Sequence, residues 1–275
     1  KQRYAGKLWI RFTFEVQEKP DDIRLLYDNC NPAKLFVNGN EVHFDKRSKL
    51  DKNILEGDIA PYVQIGTNVV IQELNFYQKD IVYTALFDEK ATEGLRNCLV
   101  YDTYMEDLRL AGDFGVYSKS GFVAGKAKNV LLGEDFYIGR RKNEINSWIT
   151  DGYPFFAGNA VIETVLNLSH NNARLKLGER THYCKVRVNG VCVQETLFNN
   201  FVDISNYACI GENVIQIDLY TGSRNLFGPF HLKGSEEPLN VSPSSFEMFG
   251  SWNNFENPNF RNAYAFVKTD LVGEE

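Results

Sequence analysis

Val37-Asn38-Gly39, followed by Asp58-Ile59-Ala60-Pro61-Tyr62 and Gly66-Thr67-Asn68-Val69, recurs as Val188-Asn189-Gly190, Asp203-Ile204-Ser205-Asn206-Tyr207 and Gly211-Glu212-Asn213-Val214. The same three signals in the same order mark a duplication, and a duplication has to be found before the fold is read. Asn-Gly supplies the positive backbone angles of a tight hairpin turn, so each Val-Asn-Gly predicts two antiparallel strands. Gly66 and Gly211 lead into Val/Ile-rich runs and predict a second reversal that enters a buried strand.

Working outward, the flanking text alternates apolar and polar residues, the period of a strand with one buried face. In copy one it runs through residues 9–16, 23–27, 34–37 and 65–72, and in copy two through 160–166, 173–177, 185–188 and 210–216. Only Asp88–Asn97 reads as a helical turn or two, a connector weakened by Gly94. Strand text resumes over Leu99–Leu110, Gly112–Tyr117, Lys128–Leu132 and Phe136–Ile138, ahead of the second repeat, and is assigned to the second module. Ser245–Phe249 and Ala263–Leu271 are read as strands that return to close that module's sheet. The expected fold is all-β: two tandem β-sandwich domains, 1–97 and a larger 98–275.

A chain of 275 residues is long enough for two hydrophobic cores. With 20 Phe, 14 Tyr and 43% hydrophobic residues, it has the composition of a β-rich globular protein. A net charge of −6, without any long Lys/Arg run, removes nucleic acid and anionic membranes from the expected partners and favours a neutral or weakly charged one. No apolar stretch approaches membrane-spanning length. The chain starts at Lys1 rather than Met and reads as a piece of something longer. Cys30, Cys98, Cys184, Cys192 and Cys209 are odd in number and lack a C-x-x-C pair, which favours buried free thiols, although Cys184 and Cys192 flank one turn. The four histidines have no metal-ligand spacing.

The order strand, Val-Asn-Gly, loop, Asp-Ile-x-x-Tyr, Gly-x-Asn-Val resembles the galactose-binding-like jelly roll, the sugar-binding domain of bacterial glycoside hydrolases of family 2 and of α-L-rhamnosidase type. Gly112–Val116, Asp151–Gly158 and Arg224–His231 look like segments of the rhamnosidase-like members. The resemblance implies two jelly rolls acting as a non-catalytic carbohydrate-binding or scaffolding region, with a saccharide or polysaccharide and a catalytic domain of the same parent protein as partners. It also implies a bacterial source, secreted, periplasmic or cytoplasmic, and leaves open a calcium held by loop carboxylates. The helices of a catalytic barrel are missing from the text.

Sugar recognition takes aromatic faces for the ring and fixed polar groups for the hydroxyls. Two loops have that composition: Trp148, Asp151 and Tyr153 in one, Arg224, Asn225 and His231 in the other. Phe155 and Phe156 are read as packing. Were the chain a hydrolase in its own right, Asp113 and Glu106 would be its acid pair. A third reading makes both sandwiches structural, bracing a catalytic domain or joining subunits.

Overall fold

The computed structural model describes residues 3–28, 33–48, 51–105, 107–125, 130–177, 183–196, 201–227, 230–232 and 260–268. In chain order the strands are β1 (Gly6–Val16), β2 (Ile23–Asp28), β3 (Ala33–Val37), β4 (Asn40–Glu41), β5 (Lys46–Arg47), β6 (Ile54–Asp58), β7 (Gly66–Phe76), β8 (Arg109–Gly112), β9 (Gly115–Ser118), β10 (Val123–Ala124), β11 (Val130–Gly133) and β12 (Phe136–Gly139). They continue as β13 (Asn159–Leu168), β14 (Arg174–Lys176), β15 (Tyr183–Val188), β16 (Val191–Thr196), β17 (Phe201–Asp203), β18 (Gly211–Tyr220), β19 (Phe230–Leu232) and β20 (Phe260–Val267). The helices among these residues are short: α1 (Asp80–Phe87), α2 (Glu93–Asn97) and α3 (Arg224–Phe227). The all-β reading holds.

Two compact units result, residues 1–114 with 137–141, and 115–136 with 142–275. In the first, β4, β3, β7, β1 and β12 lie in one sheet and β5, β6, β2 and β8 in another. Inward residues of both sheets meet in one core: Leu35, Val37 and Val70 from the first, Ile23, Leu25 and Tyr27 from the second, each almost wholly buried. In the second unit β13, β18, β15 and β16 form one sheet and β14 with β17 another. Cys184, Val186 and Ile215 pack there against Leu177, Val202 and Ile204. Burial of the Cys184 thiol pushes its pKa up, which keeps it protonated.

The duplication is reproduced strand for strand. β1 pairs with β7 as β13 pairs with β18, β3 with β7 as β15 with β18, and β2 with β6 as β14 with β17. Both Asn-Gly turns have their expected angles, with φ of 49° at Asn38 and Asn189 and 84° and 83° at Gly39 and Gly190.

Two pairings revise the sequence reading. β8 pairs with β2, matching Ile23 to Gly112, and Tyr137 and Ile138 of β12 pair in parallel with Glu15 and Val16. β8 and β12 from Tyr137 onward therefore lie in the first unit, whereas their position after residue 97 had assigned them to the second. Residues 99–108 form no strand among those described. The residue 263–271 text is a strand from Phe260 to Val267, but it pairs with β11 and β19 in a separate sheet instead of closing the repeat. Residues 245–249 and Cys30 lie outside the described residues. Cys98, Cys192 and Cys209 are exposed free thiols, contrary to the expected burial, and β15–β16 pairing sets Cys184 opposite Thr196 and Cys192 opposite Arg187, so those two are not cross-strand partners.

The β2–β8 pairing needs a glycine. A Cβ on Gly112 would lie 2.1 Å from the Asp22 carbonyl oxygen, a backbone atom that cannot rotate aside. Gly112→Ala is expected to cost about 2 kcal/mol through overpacking. Denaturant unfolding of the full chain measures it, and a cost under about 0.5 kcal/mol would show that β8 is not held against β2 as described.

Candidate functional site

The loop that carries Trp148, Asp151 and Tyr153 is organised inward. Trp148 is only 8% exposed; it stacks on Phe156 with ring centroids 4.7 Å apart and meets Tyr153 edge-on at 5.8 Å. The indole is thus part of the second core, where the sequence reading had presented it on an open loop. The cause is local: Gly152 turns the chain at φ 101°, and the Tyr153 N–H donates to the Trp148 carbonyl, folding the aromatic residues onto each other. Tyr153 Oη donates to the Lys142 carbonyl at 2.7 Å. Trp148→Ala is expected to destabilise the second unit by about 3 kcal/mol, read as a shifted denaturation midpoint.

Asp151 ties the same loop together. Its carboxylate accepts the Asn146 and Ser147 N–H groups at 2.9 and 3.0 Å and the Lys142 ammonium at 2.7 Å. Burial raises its pKa, but the Lys142 hydrogen bond and the two backbone donors outweigh that and hold the carboxyl below its usual range. A folded-state pKa below the unfolded one gives stability that is present above the unfolded value and lost as pH falls through the folded one. Asp151→Asn is therefore expected to lower stability at neutral pH and to shrink the loss on acidification, measured as the pH dependence of the denaturation midpoint. An unchanged pH profile would remove Asp151 from this role.

The second expected loop is also structural where it is described. Asn225 is buried, and its side-chain amide brackets the Val267 backbone, donating to the carbonyl and accepting the N–H, both at 2.9 Å. Arg224 opens α3, and burial pulls its pKa down. The side chain of His231 lies outside the described residues, as does Glu106. Asp113 is paired with Arg141 at 2.7 Å on the surface. Of the acid pair only Asp113 is described, and Asp151 and Asn225 hydrogen-bond to backbone groups in their two loops.

A concave site lies elsewhere, in the first unit, and sequence reasoning did not find it. A cavity of about 610 Å³ is lined, among the described residues, by Arg24 and Leu26 of β2, Lys46 and Arg47 of β5, Ser48, Glu56 of β6 and Ala111 of β8. Strand period sets the faces: Ile23, Leu25 and Tyr27 go into the core, and Arg24 and Leu26 lie on the opposite face of β2, Arg24 half-buried and Leu26 7% exposed. Register then sets Glu56 opposite both Leu26 and Lys46, and Ala111 opposite Arg24. Arg24 Nη1 donates to Glu56 Oε2 at 2.7 Å, and Nε lies 3.1 Å from Asp22 Oδ1 without hydrogen-bond alignment. The Ser48 hydroxyl and Arg24 hold the Glu56 carboxyl below its usual range against the upward push of burial. The outcome is a fixed acceptor and a fixed fork of donors beside two small apolar surfaces. The available signal was Arg24, a charge set between the apolar residues at the start of β2, together with the Asp-Lys-Arg-Ser text at 45–48.

Trp9 is the other aromatic of interest, 58% exposed on β1, with its indole N–H donating to Glu73 at 3.0 Å. Its neighbours on that face include Lys7, which is bonded to the same carboxylate. Among the described residues no three His, Cys, Asp or Glu side chains gather as a metal site would require. No helix among them is long and apolar enough to cross a membrane.

No family model matches the chain, and no curated protein does. Among solved structures it is similar to glycoside hydrolases. The α-L-rhamnosidase of Streptomyces avermitilis complexed with L-rhamnose is 15% identical over 80% of this chain and 22% of that one, with a TM-score of 0.27. The rhamnosidase of Novosphingobium sp. PP1Y is 13% identical over 96% and 22%, at 0.30. The β-glucuronidase of Ruminococcus gnavus is 14% identical over 80% and 34%, at 0.27. The chain spans about a fifth to a third of the length of these enzymes. Scores this low decide nothing about its activity.

Proposed function

We propose that this chain is a non-catalytic, saccharide-binding region of a glycoside hydrolase, made of two galactose-binding-like jelly rolls, and that its ligand site is the cavity over β2, β5, β6 and β8. The observation that carries the reading is the lining of that cavity. Arg24, Ser48 and Glu56 are already bonded to one another, so they meet a ligand in fixed positions and lose little rotamer freedom on binding. Ala111, with the small accessible edge of Leu26, offers apolar surface to the carbon face of a ring, and a volume of about 610 Å³ lies within the range of small-molecule sites. The resemblance of the repeated motif to sugar-binding jelly rolls supports the same class of ligand.

Ala111→Trp tests the reading, because it places a large side chain in the cavity without removing any polar group. Calorimetric titration of the full chain with a panel of neutral and acidic oligosaccharides is expected to find at least one ligand, with binding lost in the variant. A ligand bound equally by both proteins would put the site elsewhere, and no ligand in the panel would contradict saccharide binding altogether.

A further inference from the structure

The charge inside the cavity is opposite in sign to the charge of the chain. The protein as a whole carries −6, whereas the lining has three cations, Arg24, Lys46 and Arg47, and one anion, Glu56. Arg24 is paired with Glu56 at 2.7 Å and with Asp22 at 3.1 Å. Lys46 and Arg47 stand outside those pairs. Arg47 Nη1 reaches only the Lys52 carbonyl, at 3.5 Å, and neither Lys46 nor Arg47 has a carboxylate within ion-pair distance among the described residues. Lys46 stands across the strand from Glu56 and feels its charge, but the Glu56 carboxylate is hydrogen-bonded to Ser48 and Arg24 and forms no ion pair with Lys46 among the described residues.

Cations on an open surface are ordinary, but these two line a concavity whose one carboxylate is spoken for, and concave walls concentrate the field of the charges along them. We infer that the cavity selects a saccharide bearing an anionic group, seated so that its charge meets Lys46 and Arg47 while its ring lies over Leu26 and Ala111. This rests on the saccharide-binding reading given above and narrows it. The net charge of the chain, which points to a neutral partner, averages over the whole surface, and the cavity lining departs from that average. Recognition divides between two parts of the site: the Arg24–Glu56–Ser48 group orients hydroxyls, and Lys46 and Arg47 discriminate by charge.

Carboxylate and sulfate are the two sources of such a charge, and matched ligands separate them. The full chain is titrated with uronate oligosaccharides, their neutral methyl esters, and sulfated oligosaccharides, and the same series is run on a Lys46→Glu, Arg47→Glu variant. Both positions are exposed, so folding is expected to survive, which a melting curve checks. The inference expects an acidic oligosaccharide to bind about tenfold or more tightly than its neutral counterpart, with that advantage abolished in the variant and eroded by salt. Preference for uronates or for sulfated members identifies the anionic group, and either supports the inference. Equal binding of charged and neutral forms, or an advantage that survives charge reversal, overturns the inference and leaves the saccharide reading standing. Failure of every saccharide, neutral ones included, overturns both.

Discussion

Asn68→Ala is expected to lower the stability of the first unit by about 4 kcal/mol, and Asn213→Ala to do the same in the second. Both side chains are wholly buried. Asn68 Nδ2 donates to the Gln64 and Gly66 carbonyls at 2.8 and 3.0 Å, while Oδ1 accepts from the Gln64 N–H at 2.9 Å and from Asn38 Nδ2 at 2.8 Å. Asn38 in turn donates to the Tyr62 carbonyl and accepts the Val69 N–H, both at 2.9 Å. In the second unit Asn213 holds Cys209, Gly211 and Asn189, and Asn189 holds Tyr207 and Val214, bond for bond. Alanine would leave several donors and acceptors without partners in a dry interior, and the cost of unmade bonds exceeds the modest worth of each bond made. Asn40→Ala is the control, since that exposed amide makes only long contacts of 3.3 and 3.4 Å in the same turn. Urea unfolding of the full chain, followed by hydrogen exchange at each turn, separates the units. A cost below about 1 kcal/mol for Asn68→Ala would mean that the asparagine pair does not lock the turn.

Phe266→Ala is expected to cost about 4 kcal/mol, again in the second unit. Phe266 is wholly buried on β20, with ring centroids of Phe155 at 5.1 Å and of Phe122 and Phe136 at 5.9 Å, all three edge-on. Tyr264 joins the cluster through Phe136 and Phe155. Removal leaves a cavity that four rigid rings cannot collapse to fill, and edge-to-face pairs are lost beyond the buried area. Phe266→Leu, which keeps most of the volume, should recover more than half of the loss. Equal losses for both would show that the ring geometry matters more than the space it fills.

The duplicated motif was legible in sequence because its chemistry is short-range. Asn-Gly turns, the Asp58 and Asp203 side chains that accept an N–H two residues on, and the Ile59 and Ile204 plugs of the cores all act close to where they stand in the chain. Those residues build the fold. The strands that escaped, β8 and β12, find partners more than eighty residues away, and their own text gives no sign of which sheet receives them. α1 was missed because Asp80-Ile-Val-Tyr-Thr-Ala-Leu-Phe87 is rich in the β-branched and aromatic residues that favour strands.

The candidate site was hidden for a related reason. Loop aromatics drew the eye, but Trp148, Tyr153 and Phe156 pack on one another, and Asn225 brackets a strand. The cavity instead collects single residues from four strands, and only cross-strand register brings Arg24, Glu56, Lys46 and Ala111 onto one face. Periodicity tells which way Arg24 faces and says nothing about what stands beside it.

A chemical-shift titration of the isotope-labelled full chain with the tightest oligosaccharide from the panel tests the central claim most directly. The account predicts perturbations centred on Arg24, Leu26, Ser48, Glu56 and Ala111, with residues 148–153 unmoved. Perturbations centred on Trp148 and Tyr153, or on the Trp9 face, with the cavity silent, would contradict it.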